Sequence, residues 1–205
     1  VPAHPRREGD EVLQPRPGKW DHSIVTNPAP CVTQDGRILL LYRANTPQGL
    51  RIGAAMAPKL GAAFERLHDD PVLHFEGDNH VEDPYIWWVN EPSDDGSSDD
   101  CPSSDGGHFE LLAKDMSGGI TGEKHAGVHA TSPDGITWHL SDPPKAYSRH
   151  VHWDDGTTTT QGCLERPQLL IQDNHPTHLF VATCDGPGGF RACSNSWTMV
   201  LPLKP

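Results

Sequence analysis

Basic residues are scarce in this chain of 205 residues. Lysine and arginine number 16 against 28 aspartates and glutamates, so the formal net charge is −12 at pH 7. No basic stripe is present that could neutralise phosphates, which argues against nucleic acid or an anionic membrane as a partner. The acidic balance instead fits a neutral or cationic ligand, or it serves only to keep the protein in solution.

Metal, disulfide and cofactor motifs are also missing. The five cysteines show neither a CxxC pair nor Cys/His zinc spacing. Their odd count completes no disulfide framework, although one or two bridges stay open, and most are expected to be small buried residues. The GxSxG, P-loop, GxGxxG and HExxH patterns are absent as well. We therefore expect no cofactor.

Long apolar runs and helical periods are lacking too. No apolar run reaches the ~18 residues that span a bilayer, and no stretch combines a 3.6-residue apolar period with caps. Glycine and proline number 20 each and hydrophobic residues make up 35%, a balance typical of a loop-rich all-β protein. The chain begins at Val1 without a signal peptide. We expect a processed protein or a fragment, and a secreted or periplasmic location stays open.

Two polar segments differ from the rest of the chain. Residues 1–19 are rich in proline and arginine and predict an extended lead-in. Residues 91–107 are rich in Asp, Ser and Gly and predict a mobile surface loop. This loop lacks the spaced ligand order of a calcium loop, so a solvated loop is favoured. Residues 1–205 are interpreted as one domain, although the length also allows two very small ones.

A repeated pattern organises the chain between these segments. Its units begin with TNPAPCV at Thr26, EDPYIWW at Glu82 and ERPQLLI at Glu165. Each unit has a polar residue, a proline and an apolar strand, followed by a turn and a second apolar strand. The runs LRIGAAMAP, HAGVHATSPDGITWHL and WTMVLPL supply further strands. Such meanders predict about three blades of a β-propeller, with a β-sandwich as the alternative.

The prolines of the three units place candidate acids together. The first strand of every propeller blade lines the central axis, so the residues before each proline should converge at one funnel. This convergence involves Asn27, Glu82, Asp83, Glu165 and Arg166. Glycoside hydrolysis needs two carboxyl groups there, one to protonate the leaving oxygen and one to activate water. Repulsion and partial burial would raise the pKa of the acid. An isolated acid is more often a cap or an arginine partner, but the repeated placement makes Asp83 and Glu165 catalytic candidates.

Histidine is abundant, with 13 residues. His125 and His129 lie four apart in a predicted strand and should face the same way as Glu123. Such a set would bind a metal, shuttle protons or form a hydrogen-bonded cluster at the funnel rim. We favour the cluster over the metal and keep the three residues as candidate substrate or catalytic contacts.

Aromatic and basic side chains near the funnel are candidates for contacting sugar. Sugar rings stack their apolar faces on tryptophan, and cations that end second strands can hydrogen-bond hydroxyls or a uronic carboxylate. The candidates of these two kinds are Trp20, Trp87, Trp153, Arg43 and Lys114. Together with the converging residues they predict carbohydrate as the partner.

The ordered runs WDHSIVTNPAPCVTQDGRILLLYRA, VEDPYIWW, FELLAKDM, GEKHAGVHATSPDGITW and ERPQLL resemble the five-bladed propeller glycoside hydrolases of the family 43 and family 117 type. The resemblance covers about residues 17–205. It implies inverting hydrolysis of a plant or algal oligo- or polysaccharide, and in some members an ion such as calcium in the central channel. By position it makes Asp83 the aspartate that tunes the acid, and either Glu165 or His129 the acid itself.

The sequence departs from those families at the expected catalytic base. The slot before the first proline holds Asn27, which cannot act as a base, and Asp21 is the nearest substitute. Members of these families are longer, and the blade carrying the base would lie upstream of Val1. Two alternatives to an enzyme follow. One is a carbohydrate-binding propeller without catalysis, and the other is a truncated chain whose unpaired strand edges assemble into a homo-oligomer with shared blades.

Overall fold

The structure is a computed structural model that describes residues 13–90, 106–186 and 188–203. The first twelve residues of the predicted lead-in and residues 91–105 of the predicted loop lie outside the described residues. Within the described ranges the chain forms thirteen β-strands and one short 3-10 turn. None of its helical segments there has the length and apolar character that a membrane crossing needs.

The first sheet is an antiparallel meander of four strands. They are β1 (Val25–Val32), β2 (Ile38–Thr46), β3 (Gly49–Ala57) and the short β4 (Glu65–Arg66), paired in that order. Each hairpin connection is short, as expected for neighbouring antiparallel strands.

The second sheet repeats this plan. Its strands are β5 (Val81–Asn90), β6 (Gly107–Asp115), β7 (Gly127–Ser132) and β8 (His139–Tyr147), again paired in sequence order. A separate hairpin of β9 (His150–His152) and β10 (Thr158–Thr160) follows.

The third sheet has three strands, β11 (Leu164–Gln172), β12 (His175–Cys184) and β13 (Ser196–Pro202). The last strand coincides with the run WTMVLPL. The predicted all-β meanders, with helices only minor, are therefore confirmed.

The innermost strands of the first, second and third sheets, β1, β5 and β11, carry the same irregularity. The strand ladder skips the pairs Asn27-Pro28, Asp83-Pro84 and Arg166-Pro167. Proline has no N–H to donate, so it sits outside the ladder at such a bulge. The preceding residues have φ of 51°, 54° and 54°, a left-handed conformation that is uncommon for residues other than glycine. The same strained backbone conformation at three equivalent positions turns the three side chains toward one place.

Two layers of apolar side chains hold the three sheets side by side. The strand β6 contributes to both layers because successive side chains point to opposite faces. The layer between the first and second sheets includes Leu39, Leu41, Ile52, Leu111 and Val128. The layer between the second and third sheets includes Trp87, Leu112, Leu164, Leu179 and Val181. This side-by-side order, with the bulged strands innermost, is that of propeller blades and not of a two-layered sandwich.

Candidate active site

A polar cleft of about 990 Å³ opens where the three innermost strands begin and their partner strands end. Its lining residues come from all three sheets. They include Arg43, Glu82, Lys114, Glu165, Arg166 and Phe190. The repeats therefore meet at one site, as their prolines predicted.

Lys114 lies at the centre of this site and is only 2% exposed. Its Nζ is 2.6 Å from Glu165 Oε1, 3.0 Å from Glu82 Oε2 and 3.6 Å from Asp83 Oδ2. Strand pairing places Lys114 directly opposite Glu82, and Glu165 reaches it from the third sheet. Burial alone would lower the pKa of Lys114, but the hydrogen bond that it donates to Glu165 and the three negative charges raise it. The lysine therefore stays charged and neutralises part of the carboxylate cluster.

Asp83 is the most deeply placed carboxyl group of this cluster, and its pKa lies above the ordinary value for aspartate. Burial raises its pKa, and the charges of Glu82 and Glu165 add to the effect while Lys114 opposes it. Its Oδ1 accepts a hydrogen bond from the Asn27 side-chain amide. Both residues line a second cavity of about 360 Å³, and Arg166 lines both this cavity and the main cleft. Asp83 thus has the setting of a proton donor.

Arg43, from the first sheet, contacts two further members of this polar cluster. Its Nη2 is 3.3 Å from Glu82 Oε1 and 3.4 Å from Asn27 Oδ1. Its buried Nε has no hydrogen-bond partner among the described residues. A buried donor without a partner is costly, so this nitrogen is available to a bound water or ligand.

His125 lines the cleft, but it is not in the predicted strand. Strand β7 begins only at Gly127, and His125 has a φ of 66° in the preceding turn. Its Nδ1 lies 3.5 Å from the carbonyl oxygen of Gly162. Burial lowers its pKa, and the cations Lys114, Lys124 and Arg149 lower it further, so the ring is neutral near pH 7.

The predicted Glu123/His125/His129 set does not form, because the turn before β7 breaks the two-residue alternation on which it depended. His129 stacks on Trp87, with ring centroids 6.2 Å apart. Its Nδ1 is 2.7 Å from Ser141 Oγ, and its Nε2 is 3.6 Å from Glu110 Oε2. His129 therefore packs between strands and does not line the cleft.

Glu123 has a structural role outside the cleft. It accepts hydrogen bonds from Ser148 Oγ at 2.8 Å and from the backbone N–H of Arg149 at 2.9 Å. Burial would raise the pKa of Glu123, but these hydrogen bonds and Lys145 lower it. The residue anchors the segment after β8 and is not placed to bind substrate.

Asp21 and Trp20 lie on the opposite face of the first sheet. Arg43 faces the cleft, so its neighbour Tyr42 points away from it. Asp21 is fully buried on that side, where it pairs with Arg16 at 2.9 Å and Arg66 at 2.8 Å and accepts a hydrogen bond from Tyr42. Trp20 stacks on Tyr42 with centroids 5.9 Å apart. Asp21 is therefore a structural ion pair and not a substitute base, and Trp20 is no platform for this cleft.

The other tryptophans also lie away from the cleft. Trp87 is 8% exposed and belongs to the layer between the second and third sheets, whereas Trp88 packs in the layer on the other face. Trp153 is exposed, and its Nε1 donates to Thr159 Oγ1 at 2.7 Å within the β9–β10 hairpin. Trp87, predicted to contact sugar, is therefore no sugar platform in this cleft.

The aromatic residue in the wall of the cleft, Phe190, is not among the residues predicted from the sequence. The glycine-rich run after β12 forms the 3-10 turn Gly189–Arg191, which brings Phe190 and Arg191 to the cleft. Phe190 is 40% exposed. A Cβ on Gly189, whose φ is 74°, would lie 3.2 Å from His125 Cε1. The run GPGGF was the available signal, because closely spaced glycines mark backbone that approaches another segment.

The four cysteines in the described ranges are free, and two of them, Cys163 and Cys184, are buried. Their sulfur atoms are 3.7 Å apart beside the start of β11. Burial raises the pKa of the Cys163 thiol, and the charge of Glu165 adds to this. These thiols thus pack as small neutral residues behind Glu165.

The side chains that precede the three prolines do not fit the cation that the resemblance to families 43 and 117 implies. One Asp83 oxygen accepts from Asn27 and the other faces Lys114, while Arg166 brings a guanidinium to the equivalent third position. Hard cations require several free oxygen ligands. The described residues contain no group of three or more His, Cys, Asp or Glu side chains placed to hold a metal.

Solved structures that superpose on this chain include glycoside hydrolases. The chain superposes on fructan 1-exohydrolase IIa of Cichorium intybus, determined with 1-kestose, with a TM-score of 0.53 and 11% identity over 87% of this chain and 31% of that enzyme. It superposes on a Bacteroides ovatus protein assigned as a glycoside hydrolase with a TM-score of 0.50 and 16% identity over 99% of this chain and 78% of that protein. The chain has the fold of the β-propeller glycoside hydrolases.

This propeller chain spans about a third of the length of the fructan exohydrolase that it matches. No protein-family model and no curated protein matches its sequence. At these identities the likeness concerns the propeller fold, and the chemistry must be argued from the site.

Proposed function

We propose that this chain hydrolyses a glycosidic bond of a saccharide bound in the cleft, with Asp83 and Glu165 as the reacting carboxyl groups. The observation that carries the proposal is the meeting of carboxylates from two different repeats around the buried Lys114. Asp83, whose pKa is raised by burial, protonates the leaving oxygen as the bond from the anomeric carbon breaks. Glu165, which accepts a hydrogen bond from Lys114, takes the proton of the attacking water as that water bonds to the anomeric carbon.

This division of roles differs from the one that the resemblance implies, in which either Glu165 or His129 is the acid and Asp83 tunes it. The reason is geometric, because Glu165 Oε1 already accepts a 2.6 Å hydrogen bond from the Lys114 ammonium group. Asp83 lies 3.6 Å from the same nitrogen and is more deeply buried.

The stereochemistry proposed is inversion, as in families 43 and 117. Inverting enzymes hold their carboxyl groups ~6.5–9.5 Å apart to admit a water. The oxygens of Asp83 and Glu165 that face Lys114 are at most about 6 Å apart, because they share one nitrogen. Inversion therefore requires the two side chains to separate around Lys114 when sugar binds. Proton NMR of the first product formed would show the inverted anomer, and a retained anomer would contradict this step.

The direct test of hydrolysis uses matched carboxyl variants. The wild-type chain is assayed for reducing-end release on a panel of plant and algal polysaccharides and their oligosaccharides. Asp83→Asn and Glu165→Gln should each lower the rate by about 10²–10⁴-fold. The control is Glu110→Gln, because Glu110 pairs with His129 away from the cleft. Equal activity in all four proteins would refute the assignment.

A carbohydrate-binding propeller without catalysis is the second candidate. It is favoured by Lys114 and Arg43, which hold Glu82 and Glu165 in ion pairs, and by the amide of Asn27 in the first repeat. It predicts calorimetric binding of oligosaccharide without any turnover, and binding that survives Asp83→Asn.

A further inference from the structure

Three cations on the walls of the cleft form no ion pair with the described residues, although the charge of Arg166 lowers the pKa of Asp83. Lys124, Arg166 and Arg191 are exposed at its walls. No carboxylate among the described residues lies within ion-pair distance of any of them. Exposed cations that belong to no ion pair are free to meet a charge on a ligand.

The carboxylates of the cleft, by contrast, already contact cations. Glu82 contacts both Arg43 and Lys114, Glu165 contacts Lys114 at 2.6 Å, and Asp83 lies 3.6 Å from the same nitrogen. Two cations thus offset two of the three carboxylates of the floor, and the three cations of the walls exceed the one negative charge that remains. This local sign is opposite to the net charge of −12 of the whole chain. Net charge averages over the surface, whereas a bound ligand experiences the nearest groups most strongly.

We propose that the saccharide bound in this cleft is acidic, carrying carboxylate or sulfate groups that Arg166, Arg191 and Lys124 recognise. This inference rests on the proposed function, and it reverses the expectation of a neutral or cationic ligand drawn from composition. The planar guanidinium group can donate two parallel hydrogen bonds to one anionic group. Phe190, next to Arg191, offers an apolar face to the sugar ring beside that group.

The test compares ligands that differ only in charge. Calorimetry at low salt is performed on the full chain with oligogalacturonate and with its methyl ester. A second arm uses oligosaccharides of carrageenan before and after desulfation. One acidic ligand should bind at least about tenfold more tightly than its neutral form, the ratio expected for one charge-assisted hydrogen bond. Tighter binding in the first arm identifies a carboxylate, and in the second arm a sulfate. Added salt should weaken binding of the acidic form most.

Variants then locate the effect. Arg191→Gln and Lys124→Gln should each remove roughly tenfold of the affinity for the acidic ligand, while leaving any binding of the neutral form unchanged. The control is Lys59→Gln, an exposed lysine outside the cleft, which should bind like the wild type.

Failure of this inference can be separated from failure of the proposed function. If neutral oligosaccharides bind or are hydrolysed as well as acidic ones, or if neither acidic ligand binds, the acidic specificity is refuted. If an acidic ligand binds through Arg191 but is not hydrolysed, the specificity stands and the catalytic proposal fails.

Discussion

Replacing Lys114 by methionine should destabilise the fold in a strongly pH-dependent way. Three carboxylates lie within 3.6 Å of its Nζ, and the side chain is 2% exposed. Removing one member of a buried ionic group leaves the rest uncompensated, at a cost of about 3–5 kcal/mol. We therefore expect Lys114→Met to lose about that much free energy of unfolding at pH 8.

The pH dependence follows from the pKa values of the carboxyl groups. Burial raises the pKa of Asp83 and Lys114 opposes that rise, so removing Lys114 raises the folded-state pKa of Asp83 further above its unfolded value. The folded state then binds more protons than the unfolded state above pH 4, so stability falls as the pH rises. In the wild type Lys114 is charged at both pH 5 and pH 8, since its pKa is raised.

Urea unfolding at pH 5 and pH 8 measures both effects. The deficit of Lys114→Met relative to the wild type should be smaller at pH 5 than at pH 8, because protons neutralise the uncompensated carboxylates as the pH falls. Lys59→Met, an exposed change, should have no deficit at either pH. A loss below about 1 kcal/mol that is equal at both pH values would refute the central role of the lysine.

Four further outcomes are expected. Asp21→Asn should cost about 3 kcal/mol in urea unfolding and leave oligosaccharide binding unchanged, because Asp21 pairs with arginines on the far face; weakened binding would argue against that placement. Phe190→Ala should weaken oligosaccharide binding several-fold in calorimetry, at unchanged stability. Gly189→Ala should lower both stability and binding, because its φ is 74°. Hydrolysis should decline as the pH rises past the raised pKa of Asp83, and a rate that increases over that range would contradict an acid role.

The sequence was enough to predict what depends on strand periodicity and on proline. The Pro-led units predicted the three innermost strands and the convergence of Asn27, Asp83 and Arg166. Both follow from local rules, because proline leaves the ladder and the same bulge recurs in each sheet.

The predictions that were wrong concern residues that are placed by turns or by contacts between distant segments. His125 left the predicted strand because a turn held by the Asp115 carbonyl begins there, with a 2.7 Å hydrogen bond from the His125 N–H. Asp21 was drawn to the opposite face by Arg66, 45 residues away. Phe190 entered the cleft on a 3-10 turn that has no apolar period. No local pattern encodes such long-range partners.

A structure of the Glu165→Gln protein with a bound oligosaccharide tests the central claim most directly. The account predicts that the sugar lies in the cleft of about 990 Å³, with the glycosidic oxygen within hydrogen-bonding reach of Asp83, near 3 Å. A sugar bound instead in the apolar cavity of about 430 Å³ beside Tyr42 on the opposite face, or held beyond the reach of Asp83, would contradict it.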